Sequence, residues 1–181
     1  DPDVVMVGEM RDVETAQIGI QASLTGHLVL STVHTNSAVA AITRLRDMGI
    51  ESFLLASSLR TVISQRLVRR LCLSCKKEEL PSKNSTKLFN LDTNKKVFTS
   101  SGCDDCSNTG YQGRIAIAEC IQVDKTLKEM IHNNASENLI SEHVFKNNQS
   151  IDEASSELIS KGITSCEELI RINNLQENAS L

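Results

Sequence analysis

Two kinds of chemistry are written into the residue spacing of this 181-residue chain. Cys72-x-x-Cys75 and Cys103-x-x-Cys106 are two CxxC pairs separated by residues 76–102. Each such turn aims two thiolates at one point, and two turns complete a tetrahedral four-sulfur shell for a metal ion. The separation exceeds the usual ribbon range, but the polar stretch between the pairs takes up the extra length. A closed four-thiolate shell leaves no open position, so its metal stabilises rather than reacts. Zinc suits the shell best, with a rubredoxin-like iron site as the rival. Cys120 and Cys166 stand alone and read as small apolar side chains.

The second chemistry gathers at the ends of two short apolar runs. Val4 to Val7 is too short for a helix and rich in β-branched residues, and reads as a strand buried on both faces. Glu9, Arg11 and Asp12 follow it directly. His27 to Val33 reads as a second strand and ends in His34, Thr35 and Asn36. Polar groups at the carboxyl ends of parallel strands sit where open α/β sheets bind ligands, so the two ends are expected to share one crevice. A carboxylate there can orient water, and a guanidinium can fork onto phosphate oxygens. Arg11, Arg44 and Arg46 are the candidate guanidinia, although Arg44 and Arg46, two apart on a helix, face different ways. Each candidate has a blander role: Glu9 paired with Arg11, Arg46 solvated or ion-paired. His27 cannot join His34, because seven extended residues cover roughly 23 Å and an odd offset reverses the face. It is assigned to packing or a subunit contact.

The elements that must position these groups follow from capping and periodicity. Asp12 is placed to cap a helix from Val13 to about Leu24, with Glu14 favoured in its first turn and Gly26 closing it. Ser37 caps a helix from Ala38 to Met48, closed by Gly49. The resulting β–α–β–α rhythm is that of a parallel sheet with covering helices. A short helix is expected over 53–59 and a strand over 68–71. Residues 76–96 read as a loop-rich insertion, 114–121 as a strand, and 125–133, 137–146, 151–161 and 165–173 as helices.

The segments DPDVVMVGEMRD and LTGHLVLSTVHTNSA resemble the Walker B and His boxes of the secretion ATPases, the superfamily of type II secretion, type IV pilus and type IV secretion motors. The likeness runs on through residues 43–49, 65–72 and the two CxxC pairs. It is close over 1–77, clear again over 102–123, and strongest to the type II secretion branch. Gly8, where ordinary Walker B strands carry Asp, is usual in that family. The fold implied is α/β: the C-terminal part of a RecA-like P-loop ATPase domain with a tetracysteine zinc-binding insertion. Residues 1–71 would be the second half of the ATPase core, 72–118 the zinc module and 119–181 a C-terminal helical subdomain.

The resemblance also assigns roles. Glu9 would polarise the attacking water, His34 would contact the γ-phosphate of ATP bound with Mg²⁺, and Thr32 would be a minor nucleotide contact. Arg11 and Arg44 would act at the nucleotide or a subunit interface, and Cys72, Cys75, Cys103 and Cys106 would hold Zn²⁺. The intact protein would be a homo-hexameric motor, cytoplasmic and peripheral on the bacterial inner membrane. It would drive pseudopilus assembly together with a bitopic inner-membrane component and an inner-membrane platform protein, and would bind no nucleic acid. A type IV pilus assembly ATPase shares every motif named and is the nearest alternative. From another class, a non-catalytic zinc-ribbon module would use the basic cluster Arg60, Arg66, Arg69, Arg70, Lys76 and Lys77 to bind protein or nucleic acid. The aromatics that stack bases are absent from that cluster.

Composition narrows little further. The formal charge is −4, without a segment basic enough to argue for nucleic acid on charge alone. The longest apolar run, Ala38 to Ile42, is far too short to span a bilayer. The G-x-x-x-x-G-K-[ST] loop that cradles nucleotide phosphates does not occur in the sequence. This chain by itself is therefore expected to release no phosphate from ATP. Metal-dependent turnover above background by the purified chain, read in a phosphate-release assay, would contradict this.

Overall fold

In the computed structural model, which describes residues 2–179 with side chains to residue 173, the two apolar runs pair. Strand β1 (Val4–Glu9) lies parallel to β2 (Leu28–Thr32), with Val4 opposite Leu28 and Met6 opposite Leu30. Helix α1 (Val13–Leu24) connects them. Its cap is the expected one: Asp12 is extended and its Oδ1 accepts the Thr15 N–H at 2.8 Å. Gly26 takes φ +103° just beyond the helix. Glycine at residue 19 leaves room for the Met10 side chain: a Cβ there would stand 2.5 Å from Met10 Cε, while its 3.6 Å approach to Val29 Cγ1 on the sheet would be an ordinary contact. Helices α2 (Ala38–Asp47) and α3 (Ser52–Ser58) follow, and Ser37 Oγ accepts the Ala40 N–H at 3.0 Å.

Burial of the sheet differs from expectation. Val4 and Met6 on β1 and Leu28 and Leu30 on β2 share one face, and all four are at least half exposed. A strand is buried on both faces only where a second layer covers it. Here α1 covers one face, and no described element covers the other.

Two long strands, β3 (Thr61–Leu71) and β6 (Tyr111–Gln122), pair with each other. The first part of β3 carries Ser64, Gln65 and Arg66, which hid most of that strand from a reading based on apolar runs. The segment expected to be loop-rich contains β4 (Lys77–Glu79), α4 (Lys83–Phe89) and β5 (Val97–Thr99), with β4 antiparallel to β5. Helices α5 (Lys125–His132), α6 (Glu137–Val144), α7 (Ile151–Ser160) and α8 (Cys166–Ala179) follow; the first three are close to the expected spans, and α8 runs six residues past the expected end at 173.

The chain groups into two compact units, each assembled from separated stretches. One comprises residues 1–64 and 119–148, the other 65–118 and 149–181. The blocks 1–71, 72–118 and 119–181 describe order along the chain; in space, 119–148 joins the first unit and 149–181 the cysteine-bearing one. The first unit buries Ile20, Ile42, Leu55, Ile121, Leu127, Ile131 and Ile140. The second buries Val68, Phe89, Leu91, Val97, Ile117, Ile159 and Leu169. Each such side chain contributes on the order of 1.5–3 kcal/mol by leaving water.

In the second unit the α8 carboxylate of Glu168 is fully buried and yet charged. It accepts from the Arg69 backbone N–H (3.0 Å) and Nε (2.8 Å), and from Arg171 Nε (2.9 Å) and Nη2 (2.8 Å). Burial works to raise its pKa, but the two guanidinia outweigh burial and hold it down at about 2, from an ordinary 4.5. Arg69 also lies over the Tyr111 ring, 4.1 Å from its centroid, and Thr164 Oγ1 donates to the Arg69 carbonyl. A carboxylate with a depressed folded-state pKa stabilises fully above its unfolded value and loses that contribution as pH falls through the folded one. This unit should thus lose on the order of 3 kcal/mol between pH 4.5 and 2, at 1.36 kcal/mol per pKa unit. Denaturant melts of wild type and Glu168→Gln over that range test it: the substitution should flatten the acid dependence.

Candidate functional site

The carboxyl ends of β1 and β2 bring Glu9, Arg11 and His34 together. Between Val7 and Glu9 the register slips, so that Val7 faces Ser31 while Glu9 faces Thr32. The slip is a β-bulge, a device that re-aims side chains beside functional sites. It is pinned by two bonds: Thr32 Oγ1 donates to the Gly8 carbonyl at 2.8 Å, and the Met10 N–H donates to the Thr32 carbonyl at 2.9 Å. The Thr32 hydroxyl therefore ties the two strand ends together.

Glu9 Oε2 lies 2.7 Å from Arg11 Nη2, and Glu9 Oε1 lies 3.1 Å from His34 Nε2. The carboxylate is mostly sheltered, whereas the Arg11 and His34 side chains are 75% and 87% exposed. The hydrogen bond from Arg11 holds the Glu9 carboxyl below its ordinary range, against a weaker opposing effect of desolvation. The same bond raises Arg11. Chemically the corner is an ionised carboxylate flanked by an exposed guanidinium and an exposed imidazole.

The other candidates separate. Arg44 is on the exposed side of α2, and among the described residues it makes no ion pair with Glu9. Arg46 serves its own unit, donating to the Ala135 carbonyl at 3.0 Å and lying 3.4 Å from Thr43 Oγ1. His27 is held at the end of α1, its Nδ1 3.1 Å from the Ala22 carbonyl oxygen and 3.2 Å from Thr25 Oγ1.

A residue that pattern reading missed is Glu119. It is 3% exposed on β6, between inward-facing Ile117 and Ile121, and its Oε1 accepts the Ala38 N–H at 2.6 Å. The signal was present: a lone acid on the inward phase of the alternating run Ile115-Ala-Ile-Ala-Glu-Cys-Ile121 needs a buried donor. Beside β2, a cavity of about 500 Å³ is lined by Ile20, Leu28, Leu30, Leu55, Leu59 and Arg60 among others.

In the second unit the four cysteines converge. Their Sγ atoms all lie within 4.8 Å of one another. Cys72 to Cys103 is 3.8 Å, Cys75 to Cys106 is 3.8 Å and Cys103 to Cys106 is 3.7 Å. A tetrahedron with metal–sulfur bonds of about 2.3 Å has sulfur–sulfur edges of about 3.8 Å, so the thiols already stand at the corners of one. Disulfides are excluded by these separations, since that bond is about 2.05 Å long, and all four are free. Backbone N–H groups of Cys103 and Gly110 donate to Cys106 Sγ at 3.3 and 3.2 Å. The Gly102 N–H donates to Cys75 Sγ at 3.3 Å. Desolvation raises the Cys106 thiol, but the Cys103 and Gly110 amides, together with hydrogen bonds to the Cys103 and Cys75 thiols, bring it down to about 6. The cluster could hold one metal ion in a closed shell.

The knuckles are also tied to their own unit. Cys72 N–H donates to the Gly110 carbonyl and Leu71 N–H to the Ile163 carbonyl. Lys76 Nζ donates to the Gly162 carbonyl at 2.9 Å while lying over the Phe98 ring.

A family described as Type II/IV secretion system protein matches residues 1–171. The type II secretion system ATPase E of Vibrio cholerae is 52% identical over 176 residues, covering 95% of this chain and 35% of that protein. Type II secretion system protein E of Pseudomonas aeruginosa is 47% identical over 174 residues, with 95% and 35% covered. Among solved structures, the pilus retraction motor PilT with bound ADP superposes with a TM-score of 0.63 at 25% identity, over 93% of this chain and 38% of that one. The Legionella pneumophila ATPase DotB shares the fold at a TM-score of 0.63 and 20% identity, over 96% and 39%. The chain spans about a third of the length of these curated relatives.

Removing a metal from the thiol cluster should loosen this unit, because binding free energy in such sites is folding free energy. A Cys75→Ser variant should lose bound metal and melt at least about 5 °C lower, a shift of roughly 1 kcal/mol or more. Elemental analysis with thermal melts, with and without a chelator, reads both. Unchanged melting after complete stripping would contradict the assignment.

Proposed function

The chain belongs to the family of type II/IV secretion system proteins, and we propose that it is the C-terminal portion of the cytoplasmic motor ATPase that powers type II protein secretion. The observation that carries this reading is the Glu9–Arg11–His34 corner at the ends of two parallel strands, in a chain about half identical to a type II secretion ATPase. The domain would be RecA-like and homo-hexameric, attached to the bacterial inner membrane through a bitopic component and a platform protein. The type IV pilus assembly motor remains the alternative within the family.

Magnesium-bound ATP supplies the reactive γ-phosphoryl group and neutralises its charge. This chain's residues supply positioning, which is most of what phosphoryl transfer asks of a protein. The ionised Glu9 carboxylate orients water through the oxygen that now faces His34. Arg11, exposed and paired to Glu9, exchanges that carboxylate for phosphate oxygens, and His34 senses the γ-phosphate. Arg44, on the exposed side of α2, is assigned to a neighbouring subunit. The open face of β1 and β2 and the cavity beside β2 are read as seats for the phosphate-binding half of the sheet, which the longer relatives have room to encode. Zinc is assigned to Cys72, Cys75, Cys103 and Cys106 as a structural ion.

In a longer protein containing this chain and a phosphate-binding loop, Glu9→Gln should lower kcat at least about 100-fold, the scale set by losing a positioned group in phosphoryl transfer. Nucleotide affinity should change by less than about 3-fold, since ground-state binding does not use Glu9. Phosphate release and fluorescent-nucleotide titration read the two. Full turnover by the variant would remove Glu9 from the reaction.

A further inference from the structure

We propose that Glu119 is a positioning residue for His34, holding the turn that presents the imidazole to Glu9. The inference rests on the reading of that corner as the nucleotide site.

His34 is 87% exposed, so no packing fixes its ring. Its place is set by the backbone segment from Val33 to Ser37 and by its contact with Glu9. That segment is anchored at its start, where Thr32 bonds to Gly8 and Met10 across the bulge. Its other anchor is the start of α2. There Ser37 Oγ takes the Ala40 N–H, and the Ser37 carbonyl takes the Ala41 N–H and the Thr35 hydroxyl. The Ala38 N–H is left over. It is the first amide of the helix, with no partner inside it, and it is buried with Ala38 at 1% exposure. Glu119 Oε1 accepts it at 2.6 Å.

A buried acid in an apolar row is costly unless it is hydrogen-bonded, and an aliphatic residue would fill the inward phase between Ile117 and Ile121 more simply. What the acid does, and an aliphatic residue cannot, is fix the α2 amide against β6. The amide that Glu119 holds lies four positions after His34. Releasing it would let the turn drift by an ångström or more, enough to uncouple a positioned group from its reaction.

Two measurements on Glu119→Gln and Glu119→Leu test this. The first is the histidine side-chain ¹H–¹⁵N spectrum of this chain, with His34 assigned by substitution. The His34 Nε2 resonance should move by several ppm in the leucine variant and stay in place in the glutamine variant, whose amide oxygen can still accept from Ala38. Glu119→Asp, too short to reach Ala38 yet still acidic, should shift His34 as leucine does. The second is turnover of a longer protein carrying the chain. The leucine variant should lose about 10-fold or more in kcat with KM for ATP within about 2-fold, and the glutamine variant should recover to within about 3-fold of wild type. A His34 resonance indifferent to Leu and Asp alike overturns the proposal, whatever the corner does. If His34 responds as expected while Glu9→Gln retains full turnover, the positioning contact stands and the ATPase reading of the corner falls.

Discussion

Parallel pairing of β1 and β2, interrupted once at Gly8, is the constraint on which the site depends. Parallel strands end at the same edge of a sheet, so whatever follows each strand is brought side by side without any further device. The bulge then turns Glu9 from its regular phase and sets it opposite Thr32. Without the slip, Glu9 would be one position out of register with the end of β2. The two bonds that pin the bulge use Thr32 alone on the β2 side, which makes that threonine a structural hinge point as well as a neighbour of His34. Space does not demand glycine at residue 8, where a Cβ would meet nothing within 4 Å.

Buried acids recur as the joints of both units. Glu168 joins α8 to β3 through the Arg69 guanidinium and backbone N–H, and Glu119 joins β6 to the first amide of α2. In each case an element late in the sequence is fastened to one much earlier, which apolar packing alone does less specifically. For the ionised Glu168, hydrogen bonds contribute roughly 1.5–3 kcal/mol each, and a missing partner would leave a buried charge that costs more; for Glu119, a missing partner would leave a buried polar group unsatisfied. That asymmetry makes these contacts selective: alternative dockings of the same helices would strand the acid.

Much of this was legible in the chain. Asp12 and Ser37 announce their helices, Gly26 and Gly49 close them, and the CxxC spacing announces the thiol cluster, because each of these depends on local geometry only. The pairing of Glu9 with His34 was legible for a different reason, since strand ends and parallel order together leave little choice. What escaped depends on contacts distant in sequence. The first two-thirds of β3 lacks an apolar run and is a strand because β6 pairs with it. Residues 76–96 read as loop because Phe89 and Leu91 stand apart from other apolar residues, and only folding collects them with Val97 into one core. Burial of β1 on both faces was overestimated because composition reports what a strand is suited to bury, not what lies over it.

The electrostatics of the corner also bear on how it would act. A general base works best with a pKa near the operating pH, and Glu9 is held below even the ordinary carboxylate range by Arg11. Such a carboxylate is a poor proton acceptor but a strong and permanent hydrogen-bond acceptor. The geometry thus favours orienting a water over deprotonating it, which suits a loose phosphoryl-transfer transition state that needs little help from a base. Under the proposed function Arg11 would be more than an ion-pair partner. On Glu9 it neutralises the carboxylate; phosphate oxygens that drew it away would expose the negative charge at the place where water must be aligned. A guanidinium shared in this way between an acid and a substrate would couple the arrival of phosphate to the readiness of the carboxylate, using one rotamer change at an exposed side chain.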